Sequence, residues 1–137
     1  MLALSAETEV GIDVEDIRPM EPEVAEDHFS ASELKALSSL QEDAWLKAFY
    51  LCWTRKEAIV KAEGVGLSLA LDCFDVSVNP DLPPALLGVR PPAVFRYPWT
   101  LHDLSVASEQ VCGTLAAGDP RAEVSCFWVG EGAPACV

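Results

Sequence analysis

Hydrophobic and polar positions change period several times along this chain, and the changes mark out its elements. Residues 10–14 alternate, so a short strand carries Ile12 and Val14 on one face and Asp13 and Glu15 on the other. Residues 18–22 form a turn bounded by Pro19 and Pro22. Two helical stretches follow at 23–29 and 32–40, with Ser30 or Ser32 placed to cap the second. The strongest periodic signal runs from Glu42 to about Glu63. There Trp45, Ala48, Phe49, Cys52, Trp53, Ile59 and Val60 fall on one broad helical stripe. Gly64 and Gly66 end that helix, since glycine accepts left-handed backbone angles. Residues 73–78, 94–102, 111–115 and 124–129 read as strands, and 79–92, with five prolines, as a loop. Helices first and strands afterwards predict an α+β domain, an antiparallel sheet packed on the long helix.

Composition narrows the class. The 137 residues make one domain, and with half of them apolar they can bury a core. There is no repeat and no low-complexity segment. The apolar runs are short and broken by charge or proline, and the first ten residues lack a basic, then apolar, leader pattern. Five scattered cysteines with no CxxC pair read as reduced thiols of a cytoplasmic protein. The formal net charge of −13 argues against nucleic acid as a partner, because such binding rests on neutralising phosphates with Lys and Arg. It also repels anionic ligands unless a metal or a local basic cluster intervenes.

The candidate chemistry begins with Asp13 and Glu15. One residue apart on a strand, they emerge from the same face about 6.6 Å apart, a spacing that lets two carboxylates reach one hard cation such as magnesium. A lone DxE is ordinarily a solvated edge. Glu57 and Lys61 lie one turn apart, where an exposed Glu–Lys pair contributing about 0.3–0.5 kcal/mol is the ordinary reading. Lys56 falls near the centre of the apolar stripe, between Phe49 and Val60 in angle. It either snorkels there or holds an anionic ligand.

Taken together, GIDVE at residues 11–15 and WTRKEAIVKAEGVGL at residues 53–67 resemble the 4'-phosphopantetheinyl transferase superfamily. The WTRKEA form is similar to its larger, surfactin-synthetase-activator type. Pro19, the FSASE run at 29–33 and GLSLALDCFDV at 66–76 extend the likeness, which covers about 10–78 well and the strands to about 129 loosely. The resemblance implies one half of that family's pseudo-twofold fold, similar to the C-terminal half of the larger type. Its activity is magnesium-dependent transfer of 4'-phosphopantetheine from coenzyme A to a serine of an acyl or peptidyl carrier protein, with release of 3',5'-ADP. By position, Asp13, Glu15 and Glu57 match the residues around magnesium, Lys61 the lysine on the coenzyme A phosphates, and Glu33 a carboxylate proposed as general base. Glu33, Glu57 acting through a water, and Lys61 with a lowered pKa all remain open as the base that a serine nucleophile needs.

The larger type has a first half that grips the nucleotide end of coenzyme A with basic residues and a histidine segment. Here the sequence begins about ten residues before GIDVE, and His28 and His102 stand elsewhere. The expectation is a half-site domain that self-associates or works with an N-terminal half, and whose carrier-facing surface lies around residues 18–40. A noncatalytic carrier-binding or regulatory half-domain is the alternative; a magnesium enzyme acting on another pyrophosphate is a third. No membrane role is expected.

Overall fold

In the computed structural model, which describes residues 1–127, one long helix packs against strands from both sheets. Strand β1 (Val10–Asp16) leads into helix α1 (Pro22–His28), helix α2 (Ala31–Ser38) and the 22-residue helix α3 (Glu42–Glu63). Four strands follow: β2 (Phe74–Val76), β3 (Leu86–Val89), β4 (Thr100–Asp103) and β5 (Val111–Ala117). The main sheet has the order β1-β5-β4 and is antiparallel throughout, with Asp13 opposite Thr114 and Leu101 opposite Ala116. A second, two-stranded sheet pairs β2 with β3.

The α+β expectation of an antiparallel sheet on a long helix is met: α3 lies across β1 and β5, with α2 and β2 also packed against it. Because it is covered from several directions, α3 is buried well beyond the predicted stripe. Tyr50, Thr54, Arg55 and Lys56 join Phe49, Cys52 and Ile59 inside. The buried Thr54, Arg55 and Lys56 side chains each have a hydrogen-bond partner, as burial requires. Thr54 and Thr114 hydroxyls meet at 3.1 Å, and Arg55 donates to the Ser77 carbonyl at 2.5 Å.

The two faces of β1 alternate as expected, and the face that carries Asp13 is the one that is buried. Gly11 and Asp13 are its buried positions, whereas Ile12 and Val14 are only half-buried. Gly11 explains this, because a Cβ there would sit 2.2 Å from the Ala58 carbonyl oxygen and 2.4 Å from the Ala62 nitrogen. The glycine lets α3 settle on that face, and the carboxylates of the strand turn toward the helix with it.

The start of α2 and the end of α3 follow local rules. Ser30 caps α2 in a reciprocal capping box with Glu33: its hydroxyl accepts from Glu33 N at 3.3 Å, and the Glu33 carboxylate accepts from Ser30 N at 2.9 Å. Gly64, at φ 71°, closes α3 in the left-handed conformation. The expected strand over 94–102 shrinks to β4. The residues before it instead clamp the end of α3: Arg96 donates to the Ala62 carbonyl at 2.8 Å, and Trp99 Nε1 to Glu63 at 2.6 Å. Strand β3 lies inside the stretch read as a loop. The strand expected at 124–129 has no regular structure through Phe127, and its last two residues fall outside the described range, as does Cys136. Cys52, Cys73 and Cys112 carry free thiols. Among the described residues no helix is long and apolar enough to cross a membrane.

Candidate active site

The face of β1 that meets α3 gathers four of the predicted site residues. Asp13 projects from mid-strand with 5% exposure, and its Oδ1 accepts from Lys61 Nζ at 2.6 Å. Its Oδ2 is buried without a hydrogen-bond partner. Glu57 stands one turn before Lys61 on α3, half-buried. Burial first, and then the negative charge of Asp13, push its carboxyl pKa upward; Lys61 pulls it down, Glu15 adds to the rise and His28 opposes it. Asp13, Glu15, Glu57, Lys61 and His28 therefore share one electrostatic field.

That field is not a finished metal cage. Among the described residues, no three His, Cys, Asp or Glu side chains stand close enough together to ligate one ion. The donor set nevertheless fits a hard cation. It is all carboxylate, one oxygen is orphaned inside the protein, and a cationic ammonium already neutralises the neighbouring oxygen. Three carboxylates on one face repel one another, and a cation would offset that repulsion.

Glu33 and Lys56 go elsewhere. They form an ion pair at 2.9 Å with 2% and 0% exposure. The Lys56 ammonium also donates to the Leu71 carbonyl at 2.6 Å and the Phe74 carbonyl at 2.5 Å, and it lies 4.3 Å from the Phe74 ring centre. Both Glu33 oxygens are engaged, one by Ser30 N and Lys56 and the other by Val76 N at 2.8 Å. This places the pair in the scaffold joining α2, α3 and β2. Lys56 has neither a free proton direction nor access for an anion, and Glu33 has no lone pair facing solvent. Their expected roles in ligand holding and general base chemistry are revised accordingly.

Two features escaped sequence reading. His28, at the end of α1, fixes its Nδ1 at 2.9 Å from the Val24 carbonyl and sets its ring edge-on to Trp53, 5.5 Å between centres. The contact brings the imidazole to the Glu57 end of the site. Beside it opens a cleft of about 390 Å³ lined by Glu15, Arg18, Met20, Val24, Tyr50 and Trp53. The proline-bounded turn supplies one wall and the aromatic side of α3 the other. No short motif signals such a cleft, because its walls are distant in sequence.

Comparison with known proteins bears on this arrangement. Residues 9–116 match the family described as the 4'-phosphopantetheinyl transferase superfamily. The chain is 40% identical over 72 residues to the 4'-phosphopantetheinyl transferase Sfp of Bacillus subtilis, covering 53% of this chain and 32% of that protein. It is 42% identical over 87 residues to the 4'-phosphopantetheinyl transferase AcpT of Salmonella typhimurium, covering 62% and 43%. The chain thus spans about a third to two-fifths of the length of these relatives. Among solved structures, the holo-[acyl-carrier-protein] synthase of Thermotoga maritima superposes with a TM-score of 0.64 at 20% identity, over 82% of this chain and 64% of that one. A holo-(acyl-carrier-protein) synthase from Bacillus anthracis, solved in complex with CoA (3',5'-ADP), gives 0.61 at 18% identity over 82% and 96%. At those identities the superpositions establish the fold.

Proposed function

Because the chain belongs to the 4'-phosphopantetheinyl transferase superfamily, we propose that it transfers 4'-phosphopantetheine from coenzyme A to a serine of an acyl or peptidyl carrier protein, leaving 3',5'-ADP. The observation that carries this reading is the convergence of Asp13, Glu57 and Lys61 on one face, within the stretch that matches the family. Retention of all three favours a transferase over a noncatalytic binding module.

In this reading Asp13, with Glu15 and Glu57 on the same face, would hold magnesium, which would supply positive charge to the pyrophosphate. Lys61, half-exposed on a flexible stem, places an ammonium on the phosphate oxygens and offsets charge that grows on them as the bond to the departing ADP breaks. The carrier serine must lose its proton as its oxygen attacks the β-phosphorus. Glu33 is enclosed and Lys61 is engaged with charge, which leaves Glu57, acting through a water, as the acceptor we assign. The cleft beside Glu15 and Trp53 lies next to this group, and its Arg18 offers a cation in an otherwise acidic chain. We place the carrier there, in keeping with the surface expected around residues 18–40.

The net charge of −13 gives the chain little with which to hold the nucleotide end of coenzyme A. We therefore place that task outside this face of the chain, on an N-terminal half or on a second copy. Calorimetric titration with coenzyme A and magnesium, paired with light scattering, tests the reading. Magnesium-dependent binding, lost in Asp13→Ala, is expected, with an oligomer in the scattering if a second copy completes the site. Binding that ignores both magnesium and Asp13 would refute the assignment.

A further inference from the structure

Asp13 and Lys61 differ in how firmly each is held. Asp13 is nearly enclosed and fixed by the β1–β5 ladder opposite Thr114. Lys61 is 51% exposed, and among the described residues its ammonium is hydrogen-bonded to Asp13 Oδ1. If the pair opens, the lysine is the member that moves, at little packing cost. The pair is also incomplete from the side of the aspartate: one ammonium meets Oδ1, while Oδ2 is left buried and unpartnered on the strand face it shares with Glu15. A monovalent ammonium under-neutralises such a group, and a divalent cation would satisfy it better.

Resting on the transferase reading above, we propose that Lys61 is an internal counter-ion that occupies Asp13 until a divalent cation displaces it, and that displacement releases the ammonium to the pyrophosphate of coenzyme A. One ammonium cannot serve both anions at once. Cation and coenzyme A therefore favour the same conformer, with Lys61 away from Asp13, and each strengthens binding of the other by the same factor. Before either arrives, the pair lowers the apparent affinity for the cation, because only the fraction of molecules with Asp13 uncovered is competent.

The test reads cation binding directly. Manganese is titrated into the full chain without coenzyme A, and the free ion is followed by its paramagnetic resonance signal. Lys61→Gln and Lys61→Met are each compared with the parent chain, with circular dichroism melts to verify folding. Both variants should bind manganese about tenfold more tightly, the scale expected for removing a competing charged hydrogen bond. Coenzyme A should then tighten manganese binding in the parent chain and much less in the variants. Equal or weaker manganese binding in both variants overturns the proposal. So does an equal gain in Arg18→Gln, which would mean that long-range charge alone accounts for the effect. Failure of the folded parent chain and all variants to take manganese would instead fell the carboxylate site itself, and the counter-ion with it.

Discussion

Gly11 and Ala58 approach so closely that a Cβ on the glycine would lie 2.2 Å from the Ala58 carbonyl oxygen. This contact sets the separation between β1 and α3, and so the distance from Asp13 to Lys61. The obstacle is backbone on both sides, and backbone cannot swing aside like a flexible side chain. Gly11→Ala should therefore destabilise the fold by about 1–3 kcal/mol or more. It should also weaken cation binding in whatever fraction still folds. Chemical denaturation checks the first effect and manganese titration the second; an unchanged midpoint would show that the helix can retreat freely.

The buried Glu33–Lys56 pair gives a second expectation. Replacing Lys56 by methionine leaves Glu33 enclosed without its cation, and breaking such a pair from one side costs about 3–5 kcal/mol. Lys56→Met should fall in that range, and Lys56→Met with Glu33→Gln should recover much of the loss. Coenzyme A affinity per folded molecule should stay within about twofold in the double variant, since neither group faces the site. Urea melts and calorimetry on the same samples separate the two effects.

Much of this was legible in sequence, and the failures have specific causes. The alternation through Ile12 and Val14 placed β1, and the stripe through Phe49 and Ile59 placed α3 with its end at Gly64. The linear motif also named Asp13, Glu57 and Lys61. What it could not give was the facing of β1. Alternation alone puts hydrophobes inward, and only the missing side chain of Gly11 lets the acidic face turn to the helix. Strand β3 hid among prolines because they flank Leu86–Val89 without interrupting its ladder. Lys56 sat at the centre of the stripe, and its buried partner Glu33 is far off in sequence, so no local pattern paired them.

Asp75 supplies a pH-dependent expectation. Hydrogen bonds from Arg90, first of all, hold its carboxyl at about 2, below an ordinary value of 3.8, with Ser30 and Ser32 assisting. A lowered folded pKa stabilises the protein above the unfolded value, and that contribution is lost as pH falls from about 3.8 through about 2. Arg90 is 46% exposed, which screens the pair, so Arg90→Ala should cost no more than about 1 kcal/mol at neutral pH. The difference between variant and parent should shrink to nothing at the acid end. Carboxyl NMR should place the Asp75 titration in Arg90→Ala nearer 3.8.

Glu57 has the opposite sign. Its raised pKa means that the folded protein binds a proton more readily than the unfolded chain, so stability falls as pH climbs above the ordinary value of 4.5. Without a bound cation, Glu57→Gln should raise the melting temperature at neutral pH by about 1–3 °C. The same substitution should weaken the stabilisation that added magnesium gives. A variant that melts lower than the parent chain would mean that the carboxylate is held by a partner rather than crowded by Asp13 and Glu15.

Incubation of the chain with coenzyme A, magnesium and an apo carrier protein, read by intact mass, tests the central claim most directly. The carrier should gain one phosphopantetheine on its serine. The gain should vanish when magnesium is chelated or when Asp13→Ala or Lys61→Ala replaces the parent chain, with circular dichroism unchanged. A carrier whose mass stays constant with the parent chain, while an established transferase modifies the same preparation, would contradict the account.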